Sequence, residues 1–235
     1  MSKPAIVLAA LLLAPAALVP APAAAASDPL GAPAPDPERF VYRWELKKLA
    51  ALVGGILLPG HGEGLLTFEP RANGHLQSEL LITSEHSDEG EFWRYGAVID
   101  PDVGRTVRAW SSYLFRGEAK SESAEIDQVG VIDVASGIYQ IRRDLPDRPR
   151  RMRIWSDGKI YPVEVVPKGE EERTLPGGRR IRTLHYRIRG VEAPGERFWK
   201  GHMDLWLAKD AGHTPVEIHF DRTLMGVRLR LDQPL

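Results

Sequence analysis

Residues 215–231, PVEIHFDRTLMGVRLRL, contain two runs in which apolar and polar side chains alternate. Apolar residues occupy every second position from Val216 to Phe220 and again from Val227 to Leu231, with charged or polar residues between them. Alternation with a period of two is typical of a strand that has one apolar face and one wetter face. We therefore predict two β-strands in this stretch.

The same alternation recurs upstream, at residues 40–46 and 184–189. Between such runs lie turn signals, and those at Asp157-Gly158 and at residues 176–178 (Pro-Gly-Gly) predict two hairpins. Patterns of this kind fill most of the sequence and predict about nine to eleven strands.

One segment differs, because its apolar residues from Val134 to Leu145 recur at helical spacing. Asp133 suits the N-cap position of this helix, and Pro146 ends it. The predicted fold class is therefore all-β or β-dominated: a large antiparallel sheet that forms an open or partly closed barrel with one amphipathic helix, at about residues 133–145.

The first 26 residues have the organisation of a secretory signal peptide: a positive start with Lys3, an apolar run, and Ala24-x-Ala26 before Ser27. Residues 27–37 form a Pro-rich linker, and residues 38–235 are predicted to be a single β-rich exported domain. We expect a periplasmic or secreted protein without a transmembrane segment after signal cleavage and without a Cys for lipid attachment.

Composition excludes several classes of protein. The 235 residues carry 31 Lys and Arg against 32 Asp and Glu, a balance that argues against a nucleic-acid partner. The absence of Cys excludes disulfides, thiolate metal sites and a Cys nucleophile. No G-x-S-x-G or HEXXH motif occurs, and the His61-x-Glu63 and His202-x-Asp204 pairs match no metal motif. We predict no catalytic residue, cofactor or metal, and we expect His185 and His219 to be solvated on the polar faces of their strands.

Three runs of the sequence resemble an exported bacterial family called domain of unknown function 3108. They are DVASGIYQIRRDLP (133–146), RMRIWSDGKIYPVEVVPKGEEERTLPGG (151–178) and GHMDLWLAKDAGHTPVEIHFDRTLMGVRLRL (201–231). The resemblance extends over residues 133–232, and relative to the family pattern residues 47–62 look inserted. It implies export and a β-rich fold related to periplasmic lipoprotein carriers, and it implies no activity, cofactor or catalytic residue.

Six arginines lie within residues 142–153, with only two aspartates among them. Guanidinium groups bind phosphates and carboxylates in a bidentate manner, so this strip is a candidate site for an anion such as a lipid headgroup. The alternative is that the strip forms salt bridges with nearby acids. The predicted anion-binding residues are Arg142, Arg143, Arg150, Arg151 and Arg153.

Residues 49–59, LAALVGGILLP, contain no charged or polar side chain. They form either a core strand with a turn or an apolar wall over a ligand cavity, and the central Gly54-Gly55 pair permits a bend. An insertion is accommodated more easily at a rim than inside a packed core. The predicted ligand-binding residues are Leu52, Val53, Ile56, Leu57 and Leu58.

These observations favour a non-catalytic binding or carrier module for a lipid or another apolar ligand. The alternative is an envelope scaffold that binds a protein partner and has a filled barrel, and a hydrolase ranks third. In a filled barrel Trp44, Trp110, Trp206 and Phe220 would meet at the centre, whereas a carrier would leave a cavity between such side chains. Trp206 itself, within Leu205-Trp206-Leu207, is predicted to be a core residue of a strand covered on both faces.

Substitution of Val53 by Asp separates the two interpretations of the apolar stretch. If residues 52–58 border a ligand site, the variant should fold and lose uptake of a fluorescent fatty acid. If they belong to the core, a buried unpaired carboxylate should unfold the protein. Thermal melting together with a fatty-acid titration distinguishes these outcomes.

Overall fold

The computed structural model describes residues 36–46, 61–71, 73–85, 90–115, 117–222 and 225–232. Among these residues, the segments in which side chains alternate form thirteen strands. The predicted signal peptide and nearly all of the predicted linker lie outside these residues, so both stay predictions.

The strands are β1 (Glu38–Leu46), β2 (His61–Pro70), β3 (Leu76–Ser84), β4 (Phe92–Asp100), β5 (Arg105–Phe115), β6 (Glu118–Val129), β7 (Val131–Ile132), β8 (Arg150–Ser156), β9 (Lys159–Thr174), β10 (Arg180–Gly190), β11 (Gly201–Ala208), β12 (Pro215–Arg222) and β13 (Met225–Leu231). The helix α1 is Val134–Asp144, and a short 3-10 turn is Pro176–Gly178.

All thirteen strands form one sheet with the order β6-β5-β4-β3-β2-β1-β13-β12-β11-β10-β9-β8-β7. Every neighbouring pair is antiparallel except β7 with β8. The sheet curls until its two edges approach each other, where the Gly130 amide donates to the Gly104 carbonyl at 3.1 Å and Thr106 Oγ1 donates to the Val131 carbonyl. The predicted fold class, a β-barrel with one helix, is confirmed.

Both predicted hairpins are present, because β8 pairs with β9 across Asp157-Gly158 and β9 pairs with β10 across Pro176–Gly178. Asp157 and Gly158 both have positive φ, 51° and 73°, as a two-residue type I′ turn requires. The strands outnumber the predicted nine to eleven because the sheet edges carry little apolar pattern. β7 has only two residues, and β6, EAKSESAEIDQV, is mostly polar along an exposed edge.

Helix α1 lies inside the barrel and fills one end of it, which we name the closed end. Ile132 and Ile138 are buried, and the Tyr139 ring packs 5.3 Å from the Phe68 ring of β2. Asp133 caps the helix as predicted, accepting hydrogen bonds from the amides of Ala135 (3.1 Å) and Ser136 (2.8 Å). Burial raises the pKa of the Asp133 carboxyl, although its hydrogen bonds with Ser136 oppose the rise.

The guanidinium of Arg142 holds the other end of the helix. It donates to Glu38 Oε2 at 2.6 Å and to the carbonyls of Gly212 and His213 at 2.6 and 3.1 Å. It also lies 5.0 Å from the ring centre of Phe40. One buried side chain thus connects α1 to the start of β1 and to the connection between β11 and β12.

The hairpin of β9 and β10 bends over the outside of the barrel. The bend follows a register shift at His185/Tyr186, opposite Gly169, whose φ of 100° is a conformation that favours glycine. Beyond it, Arg173 lies 3.8 Å from Glu217 of β12, and Pro176 borders a groove with Arg230 of β13. The end of the hairpin therefore forms a second layer over the outer face of β11–β13.

Trp206 is the centre of the interface beneath this layer. Its ring stacks on His185 with 4.4 Å between ring centres, and the Arg173 guanidinium lies 4.0 Å above it. Its Nε1 donates to Glu171 Oε2 at 3.1 Å. Trp206 is buried, as predicted, and the strand β11 is covered on both faces, by the barrel interior and by the hairpin.

The prediction that His185 and His219 are solvated is wrong, because both are only 6% exposed. The hairpin covers the polar face of β11 and β12. The charged partners of His219 are Glu217 of its own strand at 2.5 Å and Arg228 of β13 at 3.0 Å. His185 contacts Glu171 Oε1 at 2.7 Å through Nδ1 and Asp204 Oδ1 at 2.9 Å through Nε2. The His185 ring therefore lies between two carboxylates, one from β9 and one from β11.

Asp204 receives the strongest stabilisation in this cluster. Burial alone would raise its pKa, but hydrogen bonds from His185 and Arg187 and the charge of Arg187 outweigh burial and hold the pKa far below its usual value. Arg187 binds both carboxylate oxygens, at 2.8 and 3.0 Å. The pKa values of Glu171 and Glu217 are lowered in the same way, against the effect of burial, by hydrogen bonds from Trp206 and His185 and from His219 respectively.

The described residues contain no helix whose length and apolar character would suffice to span a bilayer.

Replacing Asp133 by Ala should lower the free energy of unfolding by about 2 kcal/mol, because the helix loses its N-cap inside the barrel. Asp133→Asn should retain most of the stability, since Asn is an equally good N-cap and avoids burying a charge. Chemical denaturation of the two variants beside the wild type measures the difference. Equal losses for Ala and Asn would show that the cap contributes little.

The lowered pKa of Asp204 predicts an acid-sensitive fold. A carboxyl with a lower pKa in the folded chain stabilises the fold above its unfolded pKa of about 3.9, and this contribution disappears as the pH falls through the folded pKa. Asp204→Asn should lower the free energy of unfolding by about 2–3 kcal/mol near neutral pH. The loss is smaller than for breaking a fully buried ion pair, because Arg187 is 41% exposed.

The slope of stability against pH between about 5 and 2.5 should also be shallower in the Asp204→Asn variant. Asp102→Asn, in the exposed turn after β4, is the control and should leave that slope unchanged. A variant slope equal to that of the wild type would contradict the prediction.

Candidate functional site

The inner face of the barrel is filled differently at its two ends. At the closed end Tyr139 of α1 packs against Phe68, and α1 lies against β3 and β4. At the opposite end, which we name the open end, β1 stops at Leu46, β5 stops at Phe115 and the helix does not reach the rim. The strand pairings bring inward-facing residues of both halves of the sheet together here, for example Trp44 of β1 opposite Leu229 of β13.

A cavity of about 340 Å³ occupies the open end. Its wall contains seven aromatic side chains: Trp44, Trp93, Tyr95, Phe115, Tyr161, Trp199 and Phe220. Aliphatic side chains complete the apolar surface: Leu46, Ile82, Val134 and Val227. The volume is at the lower end of the range for small-molecule sites, and the mainly apolar lining is typical of them.

Local contacts hold the wall in place. Trp44 donates from Nε1 to the Thr83 carbonyl at 2.7 Å, which fixes its ring at the edge of β3. The rings of Trp93 and Phe115 pack against each other with 5.5 Å between centres. Val134, the first residue of α1, forms the floor, so the cavity lies at the N-terminal end of the helix.

Three polar residues belong to the lining of the cavity. They are Ser156 and Asp157 from the turn between β8 and β9, and His202 from the start of β11. A small polar group at one edge of an apolar cavity suits an amphipathic ligand, whose polar end would stay near the rim.

His202 also belongs to a group of potential metal ligands. Donor atoms of His202, Asp204 and Asp221 lie within 4.8 Å of one another, with His202 Nε2 at 3.2 Å from Asp221 Oδ2. Asp204 already accepts hydrogen bonds from His185 and Arg187. A cation would therefore compete with a guanidinium for the same carboxylate, and the donor set fits an ion-pair network better than a metal site.

The residues of the predicted arginine strip do not form one surface. Arg142 is buried and its guanidinium binds protein groups, as described above. Arg143 and Arg150 both contact Asp144, the last residue of α1. Arg153 lies 3.7 Å from Glu196, and Arg151 is exposed on β8. Anion binding by Arg142, Arg143, Arg150, Arg151 and Arg153 stays a prediction, and the strip forms several of the salt bridges of the alternative interpretation.

The predicted ligand contacts Leu52, Val53, Ile56, Leu57 and Leu58 lie outside the described residues and stay a prediction. Of the tryptophans considered for the barrel centre, Trp44 lines the cavity together with Phe220, whereas Trp206 lies on the outer face. Trp110 also faces outward, packed over Gly96.

Sequence reasoning missed most of the wall, including Trp93, Tyr95, Phe115 and Trp199. Their positions in the sequence were a signal that could have found them. Trp93 and Tyr95 lie near the start of β4, Phe115 ends β5 and Trp199 precedes β11, all at the same end of the barrel.

The lining of this site is mainly apolar, with few polar groups. A Ser nucleophile needs a base within hydrogen-bond reach, but among the described residues Ser156 makes no hydrogen bond to His202, and the Nε2 atom of His202 faces Asp221 instead.

Comparison with solved structures finds a chain of the same fold. A β-barrel-like protein of the domain of unknown function DUF1849 from Brucella abortus superimposes with a TM-score of 0.52 at 8% sequence identity, covering 84% of this chain and 96% of that one. At this identity the likeness concerns the fold alone.

Two lipoproteins show weaker likeness. LppX of Mycobacterium tuberculosis gives a TM-score of 0.29 at 14% identity, covering 84% of this chain and 87% of its own. LprF of Mycobacterium bovis gives 0.30 at 11% identity, covering 84% of this chain and 86% of its own. TM-scores this low support no conclusion about this chain. No curated protein matches it.

The sequence of residues 104–232 matches the family described as "Protein of unknown function (DUF3108)". The match covers more than half of the chain and runs from the start of β5 to the end of β13, including α1, the folded-back hairpin and much of the cavity wall. The protein therefore belongs to the DUF3108 family.

Proposed function

We propose that the protein is an exported, non-catalytic carrier that binds one apolar or amphipathic molecule in the open end of the barrel. The observation that carries this proposal is the cavity of about 340 Å³ with seven aromatic side chains in its wall. In water such a surface is costly unless a ligand covers it, and transfer of an acyl chain or ring system into it is favourable.

The size of the cavity limits the ligand. At 340 Å³ it suits one acyl chain or one small ring system, not a lipid with several chains enclosed at once. The apolar part of the ligand would contact the aromatic wall, and a polar end group would lie near Ser156, Asp157 and His202 at the rim.

The two other functions have less support. A scaffold with a filled barrel would place large side chains in the interior of the open end, where the cavity lies instead. A hydrolase would need a nucleophile with its base, and the lining residues of the described chain form no such pair. The carrier interpretation uses the cavity that the described residues form at the open end.

Filling the cavity provides the test. Val227 lines it, and Val227→Trp should weaken binding of a fluorescent fatty acid at least tenfold, because the added ring occupies the space of the ligand. Val129→Trp is the matched control, since Val129 is 71% exposed on β6 and should tolerate the ring without effect on binding.

Fluorescence titration and thermal melting of both variants measure affinity and folding separately. Native mass spectrometry of protein purified from its own envelope would identify a retained ligand by mass. A wild type that binds no apolar probe and retains none would reject the carrier proposal. Ester hydrolysis that disappears in Ser156→Ala would point to the hydrolase instead.

A further inference from the structure

The connection between β10 and β11, residues 191–200, forms part of the rim of the open end, and we name it the rim loop. Its Trp199 lines the cavity. A Cβ atom at Gly190 would lie 2.2 Å from the Trp199 carbonyl oxygen, so the loop packs tightly on the strand before it. The position of the rim loop relative to the cavity is therefore fixed by close contact on both sides of Trp199.

Phe198 projects from this loop into solvent and is 49% exposed. Among the described residues only Val103 and Val129 are comparably exposed large apolar side chains, and both lie near the closed end. One exposed apolar residue is ordinary on a protein surface. Phe198 differs by its position, since it lies in the rim loop directly before Trp199, which lines the apolar cavity.

Three cationic residues stand in the rim loop or at the neighbouring turn of the rim. Arg197 and Lys200 flank Phe198 in the rim loop, and Lys159 follows the turn whose Asp157 lines the cavity. All three are exposed, and within the described part of the chain none of them forms an ion pair.

The acidic groups nearby do not cancel these charges. Glu196 lies 3.7 Å from Arg153, and Glu122, beside Gly158, lies 3.4 Å from Lys120. This leaves Glu192 and Asp157 against the three cations. The rim therefore combines an exposed aromatic side chain with net positive charge.

That combination matches the chemistry of an anionic bilayer. Phosphate headgroups attract Lys and Arg near the surface, and Phe and Trp enter the boundary between headgroups and acyl chains. Resting on the proposed carrier function, we propose that the rim loop docks the open end of the barrel on an anionic lipid bilayer. Phe198 then inserts, and Arg197, Lys200 and Lys159 face the headgroups. An apolar ligand would pass between bilayer and cavity without crossing water.

Vesicle flotation tests this proposal. The wild type should bind vesicles of equal parts phosphatidylcholine and phosphatidylglycerol, bind pure phosphatidylcholine far more weakly, and lose binding as salt is added. Phe198→Ser and the double variant Arg197→Glu/Lys200→Glu should each bind the anionic vesicles with an affinity lower by about tenfold or more. The double variant should also lose most of the salt dependence.

Matched controls exclude general effects of polarity and charge. Val129→Ser removes an exposed apolar side chain away from the rim, and Arg148→Glu/Lys168→Glu reverses two exposed charges elsewhere. Both controls should bind vesicles like the wild type, and all variants should melt within a few degrees of it. Rim variants that bind as well as the wild type, or a wild type that ignores anionic vesicles, would overturn the docking proposal.

A fatty-acid titration without vesicles separates this proposal from the carrier function. Rim variants that bind the soluble probe normally but lose vesicle binding support docking. A wild type that binds vesicles through the rim loop yet takes up no probe would reject the carrier and keep the docking surface. Self-association that depends on Phe198, with no vesicle binding, would assign the loop to a contact between two copies and overturn the proposal.

Discussion

The buried guanidinium of Arg142 fixes the relation between the helix and the sheet that surrounds it. A charged group in a protein interior is tolerated only when its hydrogen bonds are satisfied, and here a carboxylate and two carbonyls satisfy it. These acceptors belong to β1 and to the connection between β11 and β12, which lie in different halves of the sheet. The rotation and depth of α1 inside the barrel are thereby determined.

The unfilled space of the barrel follows from the depth of the helix. α1 has eleven residues, so at about 1.5 Å per residue it extends about 16 Å along the interior. Its first residue, Val134, lines the cavity, and the other described residues of the lining come from the strands, the turn between β8 and β9 and the rim loop. Wide aromatic rings such as Trp44 and Phe220 form the wall of this region without closing it.

The sequence was informative wherever local chemistry decides structure. Asp157-Gly158 and Pro176–Gly178 specify tight turns by their backbone preferences, and both hairpins were predicted. The helix was predicted from its apolar spacing, and Asp133 was predicted as its N-cap. In each case a few neighbouring residues contain the whole signal.

The sequence was uninformative where distant parts of the chain meet. His185 alternates with apolar residues as a solvent-facing residue does, yet the folded-back hairpin covers it. That coverage depends on one bend at Gly169 and on contacts such as Arg173 with Trp206, which are separated by 33 positions in the chain. The cavity escaped prediction for the same reason, since its lining residues come from nine strands, the turn between β8 and β9, the rim loop and the helix.

The pairing of β1 with β13 places the first and the last described strands side by side in the middle of the sheet. On one side of this seam, β1 to β6 form a simple meander, and on the other β8 to β13 form a second one. Each half can assemble from neighbouring strands, but the seam between the halves cannot form until β13 is available. Until then β1 and the second meander each present an unpaired edge, which is the part of a sheet most open to pairing with another chain.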